Sequence, residues 1–360
     1  MAQPAQQIRF CTSRDGTRIA YATCGAGPPL VWSASFLHHL ELDWDCPVWR
    51  PWIAVLSRRH TLVRYDWRGC GLSDREHVEF SFEKFVEDLE AVIQATGLRQ
   101  FFLIGHAAGA ATSMTYAVRH PARVSRLILY ASYVRNRLAG SPTSQVVDEL
   151  EARIKVTELG WRDETPAYGQ FFTSLRMPDA SSDQSRSFAD LVRRTMSPAN
   201  ATALIRTFRK IDVGDVVSKV GCPTLVLHSR GDSIIAFEQG RSVAGLIPGA
   251  RLISLESRNN VLLDTEPAWQ QLVEALDDFL PAAPSVSGDL MLDQLSAREH
   301  QVLELVAQGL DNATIAARLH ISERTARNHV SAILSKLGVG TRAQAIVRAR
   351  DAGFGREKAR

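Results

Sequence analysis

The sequence predicts a two-part molecule: an α/β domain on a mostly parallel sheet with a helical cap, then a small all-α domain. Three observations predict it. Short apolar, often β-branched runs alternate with amphipathic helical patterns up to residue 280, as they do when helices cover both faces of a parallel sheet. The alternation lapses from about 136 to 217, where helical patterns run on with no clear strand. From about 290 onward only short helical patterns occur, each opened by a capping residue. A length of 360 residues also exceeds what one core usually serves.

The expected strands are Pro29–Trp32, His60–Tyr65, Phe101–Gly105, Ser125–Tyr130, Thr224–His228 and Leu252–Leu255. The clearest expected helices between them are Ser81–Thr96, Ala107–Arg119 and Pro267–Leu280. The domain expected from these runs spans 1–280, with its cap inserted at about 136–217. A Pro/Ala/Ser/Gly-rich linker follows at 281–289, and a second domain covers 290–360.

Composition excludes several classes. No apolar run reaches the length of a membrane span, and the first residues, MAQPAQQIRF, lack a basic start with an apolar stretch behind it. A cytoplasmic protein without a membrane role is the expectation. The five cysteines (Cys11, Cys24, Cys46, Cys70 and Cys222) are odd in number and scattered, which reads as free thiols and not as a disulfide frame or zinc site. His38, His39 and Glu41 make too short a cluster for a metal, and a surface or pocket-lining role is expected of them. No phosphate-cradling Gly-rich loop with a lysine occurs. No cofactor and no metal are therefore expected. Residues 289–360 carry 11 Lys/Arg against 8 Asp/Glu, the whole of the +3 net charge, while residues 1–288 carry 31 of each. A surplus placed there suits a polyanionic partner.

Four helices fit residues 296–352. Ser296-Ala-Arg-Glu299 is a capping box, Gly309 ends the first helix, and Asp311 or Asn312 caps the second. Ser322 caps the third, and Thr341-Arg-Ala-Gln344 boxes the fourth. The third helix buries Ala326, Val330, Ile333, Leu334 and Leu337 and turns Arg324, Arg327, Asn328 and Ser331 the other way. Guanidinium, amide and hydroxyl groups on one face suit guanine edges, adenine edges and phosphates of double-stranded DNA. The pattern alone also fits an ordinary helical bundle with a solvated face. The stretch LSAREHQVLELVAQGLDNATIAARLHISERTARNHVSAILSKLGVGTRAQAI resembles the LuxR-type DNA-binding domain along its whole length. Glu299, Leu303, Gly309, IAARLHIS, the Thr325–Val330 segment and KLGV stand where that family has them. The resemblance implies a four-helix unit that binds DNA as a homodimer. Arg327, Asn328 and Ser331 would then face bases, and Thr325, Lys336 and Arg342 would meet phosphates. Ala326 and Ser331 depart from the valine and lysine common in the family, which affects operator preference.

Residues 8–280 resemble the α/β-hydrolase fold. RYDWRGCGLSD (64–74) is similar to the loop after a core strand, FFLIGHAAGA (101–110) to the nucleophile elbow, HSRGDSII (228–235) to the strand end bearing the acid, and LESRNNVLLDTEP (255–267) to the histidine loop. The elbow G-x-S-x-G lifts a serine into the pocket, but here it reads Gly105-His106-Ala107-Ala108-Gly109. The spacing to Glu266-Pro267 puts Asn260 at the histidine position, so Asp232 alone of the triad remains. The His-Gly that shapes an oxyanion hole is replaced by VWSASF (31–36). Cys70 and Ser73 have no evident partner base and are expected to be structural. What survives is a pocket, with Trp32, Phe36, Trp67, His106, Ala107, Ala108, Asp232 and Asn260 as expected lining and Phe171, Phe172 and Phe208 as either closing residues or plain core.

The function expected from this pairing is a DNA-binding transcriptional regulator, and not an enzyme, that senses a small, largely apolar organic ligand in a pseudo-hydrolase pocket. RNA polymerase is a further expected partner. Two alternatives remain open: a hydrolase with an unusual nucleophile, and a hydrolase-like scaffold for dimerisation or protein interaction.

Overall fold

A computed structural model of the protein describes residues 6–33, 35–162, 166–281, 295–337, 339–351 and 354–355. The chain divides after Pro281 into two compact units, one residue beyond the expected boundary. The linker expected at 281–289 lies outside the described residues from 282 onward.

The larger unit is built on eight strands: β1 (Gln7–Thr12), β2 (Arg18–Cys24), β3 (Pro29–Ser33), β4 (Thr61–Tyr65), β5 (Phe101–His106), β6 (Val124–Tyr130), β7 (Thr224–Ser229) and β8 (Arg251–Leu255). Their order across the sheet is β1-β2-β4-β3-β5-β6-β7-β8. All neighbours from β4 through β8 pair in parallel. Every residue of β5 and of β7 is buried, as continuous apolar strands are when both faces of a parallel sheet are covered. The hairpin β1–β2, which joins β4 antiparallel, went unforeseen. β1 has no buried residue, so its sequence lacks the apolar run that marked the inner strands.

Helices α1 (Trp49–Ser57), α2 (Phe82–Thr96), α3 (Ala108–Arg119), α9 (Phe237–Leu246) and α10 (Pro267–Phe279) pack on this sheet. α2 begins at Ser81, whose side chain accepts from the Lys84 N–H, and stops at Gly97 in the left-handed region with φ 69°. Between β6 and β7 stands the cap: α4 (Ser144–Arg162), α5 (Pro166–Arg176), α6 (Ser182–Thr195), α7 (Pro198–Arg209) and the short α8 (Gly214–Val217). The cap falls where the strand pattern lapses. Its described residues form no strand, only one isolated bridge from Arg135 to Asp212. Ser181 and Gln184 make a capping box at α6, and Ser197 with Pro198 opens α7.

The loop after β4 is a buried polar joint. Asp66 accepts from the backbone N–H of Leu40 and of Leu72, both at 3.0 Å or less. Ser73 Oγ donates to Asp66 O at 2.6 Å and accepts from Ala20 N–H. Arg68 is fully buried and bridges Asp88 and Asp15. Ser73 is thus structural, as expected, and Cys70 is a buried thiol that burial holds well above the ordinary range. The expectation for His38 and His39 is corrected: both are buried, and neither lines the cavity between sheet and cap. His38 Nδ1 lies 3.0 Å from Asp43, which also pairs with Arg64 at 2.7 Å. Among the described residues no cluster of ligands fit for a metal occurs, and no helix is long and apolar enough to cross a membrane. All five cysteines are free.

The smaller unit holds α11 (Ala297–Ala307), α12 (Asn312–Leu319), α13 (Glu323–Lys336) and α14 (Arg342–Asp351). Both expected capping boxes form, at Ser296/Glu299 and at Thr341/Gln344. Of the two candidates for the second cap, Asp311 serves, accepting from Thr314 N–H at 2.8 Å. Val302, Leu303, Val306, Ile315, Ala326, Ile333 and Leu337 form its core.

Candidate functional site

The pocket of the larger unit is organised by the turn between β5 and α3. Gly105 is obligatory there, because a Cβ would stand 2.5 Å from Ala110 Cα and 2.6 Å from Gly109 O. The close approach lets α3 start directly over the strand end. Ala107 then takes φ 52° and ψ −114°, a region an L-residue enters only when its surroundings force it. Hydrogen bonds from Ala107 N–H to Tyr130 O and from Ala110 N–H to Ala107 O, both 3.0 Å, hold it. A strand–turn–helix with a strained central residue is the geometry of a nucleophile elbow. Here the residue it presents is a methyl group.

Asp232 and Asn260, which the resemblance assigns to the two other triad positions, lie against each other. Asp232, beyond β7, accepts from Ile234 N–H at 2.8 Å, Ile235 N–H at 3.0 Å and Asn260 Nδ2 at 2.7 Å. Burial pushes the Asp232 carboxyl up, against the downward pull of these donors. Asn260 N–H donates to Arg176 O at 2.7 Å, fastening this loop to the end of α5. The Asn260 amide therefore stands where a base could be oriented by a carboxylate, but it cannot exchange a proton near neutral pH.

A cavity of about 110 Å³ lies between the sheet and the cap. Phe171, Phe172 and Phe208 close it from the cap, and Phe36, Ala107, Ala108 and Asn260 line it, as expected. Four expected lining residues do not. Trp32 stacks on Trp52 inside the core, and Trp67 packs against Phe85 and Phe208. His106 points into the sheet's interior beside Trp49 and Tyr130, since successive strand residues face opposite ways. Asp232 opens on an adjoining depression with Tyr133, Arg135 and Arg137. Burial drives the His106 imidazole down to about 3, so it is neutral. Sequence reasoning missed Tyr133, Asn136, Arg153, Arg176 and Arg209, which also line the cavity. Nothing in the helical pattern of α4, α5 or α7 distinguishes these arginines from a solvated face.

In the smaller unit, α12 and α13 are joined by a turn in which His320 adopts φ 53°. The turn lets Ser322 cap α13 by accepting from Thr325 N–H at 3.0 Å. Arg324, Arg327, Asn328 and Ser331 are all exposed, while Ala326, Val330 and Ile333 are buried. The side of α13 expected to face DNA is thus exposed. Arg327 makes an exposed pair with Glu323 at 3.3 Å, a weak contact that a phosphate or base can replace. Thr325 shares a hydrogen bond with Ser322 at 2.7 Å. The two other expected phosphate contacts are engaged inside the unit. Lys336 Nζ reaches Glu299 at 2.7 Å and holds that carboxyl down to about 2, and Arg342 donates to Asn312 at 2.9 Å and to Leu310 O. Both tie helices together at the unit's edge.

Residues 36–266 match the family model of the alpha/beta hydrolase fold, and residues 293–349 match that of bacterial regulatory proteins of the luxR family. Among curated proteins, the non-heme chloroperoxidase of Streptomyces lividans is 27% identical over 270 residues, covering 71% of this chain and 94% of that protein. The bifunctional esterase/perhydrolase of Acinetobacter calcoaceticus is 24% identical over 259 residues, with 68% and 90% covered. Among solved structures, a hydrolase from Pseudomonas aeruginosa superposes with a TM-score of 0.63 at 22% identity, over 77% of this chain and 99% of that one.

Two consequences of this geometry are measurable. Replacing Ala107 by glycine relieves the strained φ, worth about 1–3 kcal/mol, against about 0.4–1 kcal/mol for the more flexible unfolded chain. Ala107→Gly is expected to raise the melting temperature of the larger unit by roughly 2 °C; a calorimetric scan checks it, and a lowered midpoint contradicts the strain. The second is pH dependence. His106 is held below its ordinary value, so the folded state binds fewer protons than the unfolded one. Its contribution is present in full above the unfolded value of about 6.5 and is lost as pH falls toward the folded value, at roughly 1 kcal/mol per pH unit. His106→Gln is expected to flatten the fall in stability between about pH 6.5 and about pH 5, read by denaturant titration at each pH.

Proposed function

The chain belongs to the α/β-hydrolase fold family and carries a luxR-family regulatory DNA-binding domain, and on that premise we propose that it is a ligand-responsive transcriptional regulator. In this reading the larger unit is a sensor pocket without turnover, and the smaller unit reads DNA through α13 as one half of a homodimer. The observation that carries the proposal is the strained turn at Ala107. The scaffold keeps the costly backbone that presents a nucleophile, yet offers a methyl there and an asparagine, Asn260, beside the retained Asp232. Without nucleophile and base, acyl transfer loses two of its principal contributions. A cavity so equipped retains a small organic molecule intact, which is what sensing requires. Occupancy then acts on DNA affinity only to the extent that the ligand prefers one state of the protein.

The test has two arms. Duplexes selected from random sequence by the intact chain are measured against wild type and Arg327→Ala. The variant is expected to lose about 1–3 kcal/mol at one base position and to relax preference there. Equal affinity and equal salt dependence in both proteins contradict the recognition-helix assignment. In the second arm, small acids, esters, lactones and aromatics are screened by thermal shift, where a ligand at about 100 times its dissociation constant adds roughly 2.7 kcal/mol. A shift that vanishes in Ile205→Trp, which fills the cavity, supports the sensor. No shift across the library, with a partner protein that copurifies, favours the interaction-scaffold reading.

A further inference from the structure

The cavity is not evenly apolar. Three arginines from three cap helices line it: Arg153 of α4, Arg176 at the end of α5 and Arg209 at the end of α7. Among the described residues no aspartate or glutamate lines it. Elsewhere in the unit the buried arginines face carboxylates, Arg64 against Asp43 and Arg68 against Asp88 and Asp15. Arg209 does not. Among the described residues its guanidinium makes one long hydrogen bond, 3.5 Å to the Asn136 side-chain oxygen, and no ion pair. Burial, with the charges of Arg137 and Arg153 nearby, pushes the Arg209 guanidinium down. A second, independent observation lies beside it. The Tyr133 hydroxyl is buried, lines the same cavity and, among the described residues, has only the Asn136 side chain beside it as a polar neighbour. The Ser35 hydroxyl, also in the lining, is buried and among the described residues makes no hydrogen bond. Buried polar groups left unmet are costly and ask for a partner.

We propose that the pocket takes a small organic carboxylate, held at its charged end by Arg209 and Arg153 with the Asn136 amide and the Tyr133 hydroxyl. Its acyl or aromatic body lies against Phe36, Leu150, Ile154 and Phe172, which line the same space. A planar guanidinium matches a carboxylate in two parallel hydrogen bonds, and a net positive lining without acids excludes cations. This deepens the sensor reading and rests on it: it names the ligand class of the proposed pocket.

Phenylacetate and hexanoate serve as probes, each paired with its primary amide, and phenyl phosphate stands as the alternative anion. Binding to the intact chain is read by calorimetry in wild type, Arg209→Gln, Arg153→Gln and Ile205→Trp. The acids are expected to bind at least 10-fold more tightly than their amides. Each arginine variant is expected to weaken the acids by about 10- to 100-fold and leave the amides unchanged. Arg153 is exposed on α4, so its variant reports even where Arg209→Gln fails to fold. Acid and amide binding alike, blocked by Ile205→Trp and indifferent to both arginines, overturns the carboxylate proposal while the sensor reading stands. Phenyl phosphate bound more tightly than phenylacetate overturns the choice of carboxylate. Absence of binding by every probe overturns the proposal, and the wider ligand screen then decides the sensor reading separately.

Discussion

The larger unit depends on how closely α3 approaches the end of β5. The bare Cα of Gly105 lets the first turn of α3 rest on the strand, with Gly109 and Ser113 against it. That contact compels Ala107 into a backbone region with positive φ. The sheet order places β5 among the inner strands, flanked by β3 and β6 in parallel register. A rigid strand, a tight turn and a helix start therefore fix one position at the mouth of the cavity. Asn260 reaches the same cavity from the far side, anchored to Asp232 and to the end of α5. Strain of this kind persists only where the surroundings over-determine it. Its retention under an alanine is what links the fold to the proposed role of binding without turnover.

Charge is divided unevenly between the two units. The smaller unit carries the entire positive surplus of the chain. On α13 it leaves Arg324 and Arg327 exposed, while Lys336 and Arg342 are spent on holding helices together. The larger unit is neutral in sum yet concentrates three arginines around one apolar cavity. In the proposed reading the positive surplus of the smaller unit serves the polyanion, and the arginines around the cavity select what enters it.

Much of this was legible in the sequence, for identifiable reasons. The six strands β3 to β8 announce themselves through short apolar runs, unbroken where both faces are buried as in β5 and β7, and each lies within a residue or two of its expected bounds. The capping boxes at Ser296 and Thr341 were legible because they are local hydrogen-bond chemistry. The hairpin β1–β2 was not, because an exposed edge strand such as β1 needs no apolar pattern. The resemblance to the fold puts Trp32, Trp67 and His106 on the pocket by their positions in it. The direction of a side chain depends on strand parity and on neighbours distant in the chain, and these turn all three into the core. The arginines of the cap escaped notice for the converse reason. An arginine on an amphipathic helix looks solvated until a second helix closes over it, and α4 and α7 meet only in three dimensions.

The claim that the pocket binds and does not catalyse is tested most directly by ester hydrolysis with p-nitrophenyl acetate. Wild-type protein and Ala107→Ser are assayed in parallel, with Asp232→Ala as the control for contaminating esterase. The expected result is no turnover above buffer in the wild type and little gain in Ala107→Ser, because the serine restored at the strained turn still faces Asn260 and has no base. Multiple turnovers by the wild type that disappear in Asp232→Ala contradict the claim. So does robust activity in Ala107→Ser alone, which would place the base elsewhere than at Asn260.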